Sequence, residues 1–339
     1  MLLRTILRKA VRKENEPLNI LTFPTHERYE SNLCKTGHNF YSLAIKDFTK
    51  GSWNEKYSKI PDNYHIIYCD PESIEVPSYI DIDLVLSQNK YGQFWVGQET
   101  ARQLGCSQIN IEHTTTTTEN VLHQEALKES KKMIADFNVY ISEYNRGAWE
   151  WDNPYRIIHH GIDTDVFKYS TEASDKEQVA LSVVNDWQNR DWCCGFNLWR
   201  SVTGFPHDPI IPVKVVGDNP GISEPADNTE ELANIYDSCR VYLNTSTASP
   251  IPTSMLEAMS CGCAIVSTKN CMIPEIIEHG VNGFLSNNPL ELRQYTKLLL
   301  EDVSLSKTMG EAARKTIEKD FSLDKFLESW NALFKEAAK

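Results

Sequence analysis

Residues Val241–Phe284 read VYLNTSTASPIPTSMLEAMSCGCAIVSTKNCMIPEIIEHGVNGF. The alternation of apolar runs, small polar residues and prolines predicts strand, polar loop, helix, strand, loop, helix and turn. The first strand, Arg240–Asn244, leads into a loop that holds Pro250 and Pro252. A helix is expected to begin at Thr253 or Ser254, where a hydroxyl can cap free N–H groups. Glu257 then stands one turn inside that helix, close to its positive end. A helix start placed after a parallel strand is a ready site for phosphate or sugar hydroxyls. Open α/β sheets bind ligands in the crevice beyond the carboxyl ends of their strands.

Working outward, short apolar runs alternate with helical patterns along the whole chain, which argues for parallel βαβ units. In the first half the strand candidates are Leu18–Phe23, His65–Cys69, Asp83–Ser87, Gln108–Glu112, Asn138–Ser142 and Tyr155–His159. In the second half they are Val179–Val184, Val213–Gly217, Arg240–Asn244 and Ala264–Thr268, with a short one near Phe284. The hydrophilic segment Lys168–Gln178 reads as the linker between the two series. Near the C-terminus Leu323, Phe326, Leu327, Trp330, Leu333 and Phe334 follow Ser322 at helical spacing, with Ser322 as a cap. A length of 339 residues suits two domains of about 150 each.

Composition narrows the function classes. Apolar residues make up 41% of the chain, enough for real cores, and no apolar run reaches the roughly 18 residues of a membrane span. The net charge is −13, which argues against generic polyanion binding. The acidity is uneven: residues 1–50 carry 9 Lys+Arg against 5 Asp+Glu, a local net of +4. The start, MLLRTILRKAVRK, is basic and amphipathic without the apolar centre of a signal peptide. A surface helix or tail and a weak contact of residues 1–13 with an anionic membrane or nucleic acid are both open readings. Nine cysteines without a zinc-like double pair read as free thiols in a reducing compartment, so a cytoplasmic location is expected.

Several ordered motifs carry a resemblance. Leu256-Glu257-Ala258-Met259-Ser260-Cys261-Gly262 is followed by Ala264-Ile265-Val266, Ile273-Pro274-Glu275 and Gly280-Val281-Asn282-Gly283-Phe284. The run Ile158–Phe167, Val215–Asp218 and Glu231–Tyr236 add signposts upstream. Together these resemble retaining glycosyltransferases of the GT-B class, most closely family 4. The similarity covers about residues 138–338, and the first 110 residues match in pattern only. The resemblance implies two Rossmann-like α/β domains with parallel sheets facing a central cleft, and a C-terminal helix crossing back to the first domain. The implied boundaries are an acceptor domain at 1–165, a nucleotide-sugar donor domain at 166–320 and the returning helix at 321–339.

The same resemblance assigns candidate residues. Glu257 matches the family's second glutamate, and a carboxylate can accept two hydrogen bonds from a ribose diol. Eight residues earlier, where the family's first glutamate stands, this chain has Ser249. The backbone N–H groups of Ile251, Thr253 and Ser254 are available to a sugar or phosphate, and Gly217 and Asn185 end strands on the donor side. Family members carry an Arg and a Lys after the first strand of the second domain to stabilise the departing diphosphate. Here Arg190 is the candidate for one, against a surface ion pair with Asp186 or Asp191, and Cys194 stands where the Lys would precede Gly195. His113, after the strand Gln108–Glu112, matches a family histidine that bonds the donor sugar. The other reading of His113 is a structural residue holding the Thr114–Thr118 loop. Thr36 and Gly37 loosely resemble the glycine loop that faces the diphosphate, and His26 and Arg28 are candidates for acceptor contact. Neither Asp81-Ile82-Asp83 nor Asp163-Thr164-Asp165 is a credible metal motif, so no catalytic metal and no cofactor are expected.

The implied activity is transfer of a hexosyl or pentosyl group from a UDP- or GDP-sugar to a hydroxyl acceptor, with retention at the anomeric carbon. The acceptor is expected to be a saccharide or another soluble molecule, with a membrane lipid or hydroxymethylated DNA as alternatives. Ser249 and the missing Lys motivate a different class, a non-catalytic GT-B protein that binds a nucleotide sugar or a partner.

Overall fold

A computed structural model describes residues 16–23, 26–45, 53–55, 58–69, 80–89, 93–115, 127–150 and 152–338. The basic start at residues 1–13 and Thr116–Thr118 lie outside the described residues. The chain divides into two compact units, residues 1–159 with 324–339, and residues 160–323. Each is an α/β unit built on a parallel sheet.

The first unit holds β1 (Asn19–Thr22), β2 (Asn39–Ile45), β3 (Tyr64–Cys69), β4 (Leu84–Ser87), β5 (Ser107–Glu112), β6 (Phe137–Tyr140) and β7 (Arg156–Ile157). They lie in the order β3-β2-β1-β4-β5-β6-β7. The order reverses between β1 and β4, which pair in parallel at Ile20–Leu84 and Leu21–Val85. Leu84–Ser87 is buried at all four positions, as expected for a strand covered on both faces. Leu21, Leu43, Val85 and Ala101 meet in its core.

β2 is absent from the strands expected above. Its sequence, NFYSLAI, follows the helix Glu27–Cys34 after only four residues, and the glycine among them makes the whole stretch read as a loop. Asn39 and Ser42 also break the apolar run. Ser42 is nonetheless fully buried, and β2 pairs along its length with β3.

The C-terminal helix Leu323–Ala337 belongs to the first unit. Its apolar stripe buries Phe326, Trp330, Leu333, Phe334 and Ala337. Trp330 Nε1 donates to Tyr29 Oη at 3.1 Å, and the Phe334 ring meets the edges of His38 and Phe40. Arg156 pairs with Glu336 at 2.6 Å. Ahead of the helix, Ser322 forms a parallel bridge with Ile162, and Leu323 N donates to Ile162 O at 3.0 Å.

The second unit holds β8 (Glu177–Val183), β9 (Val213–Val216), β10 (Cys239–Asn244), β11 (Ala264–Ser267) and β12 (Phe284–Leu285). Their order is β12-β11-β10-β8-β9, so the reversal falls between β8 and β10. β10 is buried at all six positions.

The segment Lys168–Gln178, read above as a linker, is packed into this unit. Ser170 and Thr171 each donate a backbone N–H and a hydroxyl to Asp237, with hydroxyl contacts of 2.6 and 2.8 Å. The buried Lys176 ammonium donates to Cys261 O at 2.8 Å and lies 3.8 Å from Asp237. Arg240 binds the carbonyls of Ala173, Lys176 and Leu300. The segment looks hydrophilic because its polar groups saturate buried charges of the unit.

Burial raises the pKa of the Asp237 carboxyl, but the bonds from Ser170 and Thr171 outweigh it and leave the value below the ordinary one. Replacing Asp237 by Ala should lower stability by about 2–3 kcal/mol, the scale of hydrogen bonds to a charged group, read as a drop in urea midpoint. Because the folded pKa is depressed, this contribution is present above the unfolded value near ~3.9 and is lost as pH falls through the folded value. The gap between wild type and Asp237→Ala should therefore close on acidification.

Candidate functional site

In an open parallel sheet, the loops leaving the carboxyl ends of two strands diverge where the strand order reverses, and a crevice opens there. In the second unit those strands are β8 and β10, and both loops are held in place by close backbone contacts. Gly217, at the end of β9, has φ +136°, and a Cβ there would lie 1.9 Å from Val184 O. Asp218 N donates to Asn185 Oδ1 at 2.9 Å, and Trp187 N donates to Asn219 Oδ1 at 2.8 Å. The β8 exit is therefore fastened to the β9 exit. The β10 exit is fastened in turn: Thr247 N and Ala248 N donate to Cys193 O at 2.9 and 3.1 Å. Gly195 has φ +67°, and a Cβ on it would lie 1.9 Å from Thr245 O.

Arg190 stands in the β8 loop with its side chain exposed. Nη1 donates to Asn185 O at 3.3 Å, and among the described residues the guanidinium forms no ion pair. Asp186 and Asp191 accept instead from Asn189 and Asn197, both at 2.6 Å. Beside it the thiols of Cys193 and Cys194 lie 3.6 Å apart. The hydrogen bond from Cys194 lowers the Cys193 thiol below its ordinary value, with help from Arg190, while Cys194 is pushed up.

Beyond β10 the helix Thr253–Ser260 starts as expected, but its cap differs. Pro252 occupies the N-cap position and no side chain caps the helix. Ser254 Oγ accepts instead from Tyr242 Oη at 2.8 Å. The N–H groups of Ile251, Thr253 and Ser254 donate to no partner among the described residues. They form a small electropositive patch, since the first turn of a helix has no intrahelical acceptors. Ser249, half-buried, precedes this patch and makes no hydrogen bond among the described residues. Glu257 is 4% exposed, and Tyr236 Oη donates to its Oε2 at 2.9 Å. A solvated surface carboxylate is therefore excluded. The structure brings Asn185, Arg190, Gly217, Ser249, Ile251, Thr253, Ser254 and Glu257 to the carboxyl edge of one sheet.

In the first unit the reversal lies between β1 and β4. His26 follows β1 and caps the helix Glu27–Cys34, its Nδ1 accepting from Tyr29 N at 3.3 Å. Arg28 lies in the first turn of that helix rather than in a loop. His113 follows β5, with Nε2 3.3 Å from Gln88 Oε1 and its ring edge-on to Tyr29 at 4.6 Å. Gln88, buried at the end of β4, donates to Thr22 Oγ1 at 3.3 Å. Thr114 is held by others: its N–H and hydroxyl donate to Glu112 Oε1, and Trp149 Nε1 donates to its carbonyl at 2.9 Å.

Thr36 and Gly37 are not in this group. They close the C-terminal end of the helix Glu27–Cys34, where Thr36 Oγ1 donates to Leu33 O at 2.6 Å and Gly37 N to Cys34 O at 3.1 Å. His38 Nδ1 accepts from Leu18 N, at the amino end of β1. The glycine loop expected there is thus a helix C-terminus on the opposite edge of the sheet from His113. Its carbonyls repel a phosphate. The strand-to-helix turn that does leave β1 starts at Phe23 and His26.

Gln88, Tyr29 and Tyr236 were not anticipated. Each lies far in sequence from the group it contacts, and a buried glutamine or tyrosine carries no local signature. Among the described residues, no group of three or more His, Cys, Asp or Glu is placed to hold a metal ion, and no helix is long and apolar enough to cross a membrane.

Residues 225–316, which contain the β10 loop and the helix with Glu257, match the family of glycosyl transferases group 1. The chain is 30% identical over 110 residues to N-acetyl-alpha-D-glucosaminyl L-malate synthase of Bacillus anthracis. That stretch is 32% of this chain and spans 28% of the relative's length. Among solved structures, HepE of Anabaena in complex with UDP superposes with a TM-score of 0.73 at 16% identity, covering 95% of this chain and 100% of that one. A glycosyltransferase from Rickettsia africae gives 0.70 at 14% identity, covering 96% and 99%. The fold is thus that of GT-B proteins, and the segment that matches glycosyl transferases group 1 lies in the second unit.

The two glycine contacts make a direct test of this frame. Gly195→Ala and Gly217→Ala should each cost at least about 1–3 kcal/mol of backbone strain. In a denaturation series, both should fall well below a control Gly147→Ala, a helical glycine without positive φ where a Cβ meets nothing within 4 Å.

Proposed function

We propose that the protein transfers a sugar from a UDP- or GDP-sugar to a hydroxyl acceptor with retention at the anomeric carbon. The observation that carries this reading is the juxtaposition at the β8–β10 reversal. A buried carboxylate, Glu257, stands one turn inside a helix whose first N–H groups are unpartnered, beside an arginine free of ion pairs. Solved structures of HepE hold UDP and UDP-glucose on the same fold, which supports a nucleotide sugar as the donor.

Glu257 is assigned the ribose diol, oriented by the Tyr236 hydroxyl. Arg190 and the N–H groups of Ile251, Thr253 and Ser254 are assigned the diphosphate and the sugar end. Asn185 and Gly217 let the donor approach the strand ends closely. Ser249 offers one hydroxyl where the family's glutamate would offer a charge. His113 is assigned a sugar hydroxyl, held by Gln88 and Tyr29, and His26 with Arg28 the acceptor. Retention proceeds by same-face attack. The bond from the anomeric carbon to the diphosphate oxygen breaks with its electron pair leaving on that oxygen. The acceptor oxygen bonds the same face, and its proton passes to the departing diphosphate. Negative charge grows on the diphosphate, and fixed donors aimed at it lower the barrier. The acceptor is a saccharide or another small hydroxyl compound.

Ser249, and Cys194 in place of a lysine, favour a second reading, a non-catalytic GT-B protein that binds a nucleotide sugar. Incubation with a panel of nucleotide sugars separates the two. Release of free nucleoside diphosphate supports transfer, and binding with no turnover of any donor supports the second reading.

Glu257→Gln keeps the shape and removes the charge, so it should weaken nucleotide binding by about ten- to a hundred-fold. Unchanged affinity in calorimetry would remove Glu257 from the site. Ser249→Glu should reorder the ranking of donors in the same panel. An identical ranking places Ser249 outside the sugar pocket.

A further inference from the structure

Trp192 is 64% exposed, the highest fraction of any large apolar side chain among the described residues. A bare indole in water forgoes the free energy of burial. Its surroundings offer that burial freely: Trp187, Cys193, Cys194 and Trp199, all within seven residues, are buried. Trp187, Phe196 and Trp199 pack on one another, and Trp192 takes no part in that cluster.

Its exposure does not come from a loose loop. Trp192 O accepts from Thr247 Oγ1 at 2.8 Å, and the next carbonyl, Cys193 O, accepts from Thr247 N and Ala248 N. The peptide that carries the ring is therefore clamped between the β8 and β10 exits. Trp192 lies two residues after Arg190, and its backbone partner Thr247 lies two residues before Ser249. Glu257, assigned to the ribose, sits one turn inside the helix that follows. The backbone that carries the ring is thus tied to the loop that leads to Ser249, ahead of the helix that carries Glu257.

We infer that Trp192 is a stacking platform for the apolar C–H face of a saccharide ring at this site, with the Thr247 and Ser249 hydroxyls as its polar rim. The inference rests on the glycosyl-transfer reading and adds to it a residue that selects the sugar. A flat, rigid aromatic face binds a pyranose with little loss of side-chain freedom. The ring it covers is either the transferred sugar or a saccharide acceptor, and the same chemistry serves both.

The test uses the full chain as wild type, Trp192→Ala and Trp192→Phe, with urea midpoints and far-UV circular dichroism to establish equal folding. Calorimetry measures UDP, UDP-glucose, UDP-N-acetylglucosamine and GDP-mannose. Acrylamide quenching of tryptophan fluorescence, as the difference between wild type and Trp192→Phe, follows this one indole. If the ring covers the transferred sugar, Trp192→Ala weakens one nucleotide sugar about three- to ten-fold. UDP is then unaffected, Trp192→Phe keeps most of the affinity, and the sugar shields the indole from acrylamide. If it covers the acceptor, donor affinities stay level, and methyl glucoside or methyl mannoside added to the UDP complex shields the indole. Equal losses for UDP and its sugars would overturn the inference by moving the ring to the nucleobase. No loss and no shielding by any sugar would also overturn it. A wild-type chain that binds none of these nucleotides overturns the transfer reading and this inference together, whereas nucleotide binding with an indifferent Trp192 overturns the inference alone.

Discussion

Parallel pairing of strands is the constraint from which the rest follows. A parallel neighbour must start at the edge where its predecessor started, so every connection crosses the sheet and every carboxyl end lies on one side. Where the order reverses, crossovers leave in opposite directions and a crevice remains. In the second unit this happens between β8 and β10, joined at Val241–Ala180 and Tyr242–Leu181. The residues with unspent donors, Arg190 and the start of the helix Thr253–Ser260, all leave strands at that one place. In the first unit the same logic gathers His26, Gln88 and His113 near the carboxyl ends of β1, β4 and β5.

Electrostatics refine this. The chain carries a net charge of −13, yet the β8–β10 crevice presents a guanidinium and helix-start N–H groups. The carboxyl group of Glu257, one turn further along the helix, is buried and accepts from the Tyr236 hydroxyl. A carboxylate at position 249 would add a second charge. At about 5 Å from a phosphate it would oppose binding by roughly 3 kcal/mol, taking an effective dielectric constant of ~20. On the transfer reading, serine removes that opposition, which matters more in a chain that has Cys194 in place of a lysine.

The second unit was the more legible because its signals are local. The β10–helix–β11 stretch carries its apolar runs, prolines and glycines in one continuous segment, and the structure follows it nearly residue for residue. Elsewhere the determinants are not local. β2 escaped because its buried Ser42 and the short turn after Cys34 mimic a loop. The same turn made Thr36 and Gly37 look like a phosphate loop, since a glycine at positive φ serves a helix end as readily as a ligand. Lys168–Gln178 looked like a linker because its polarity is spent on Asp237, Cys261 and Arg240, partners more than 60 residues away. The hydroxyl cap expected from Thr253 or Ser254 does not form, because Pro252 takes the N-cap position and the Ser254 hydroxyl accepts from Tyr242, 12 residues away.

The contacts at Gly195 and Gly217 separate two kinds of position in one crevice. Neither glycine can carry a side chain without displacing a neighbouring carbonyl, so the path of the backbone is fixed there. Trp192 and Ser249, a few residues away, project from that path without bracing it. Variation can thus be confined to the projecting side chains while the scaffold stays unaltered. A chain of this design can alter what its rim presents by single substitutions there, while the backbone path set at Gly195 and Gly217 is inherited intact.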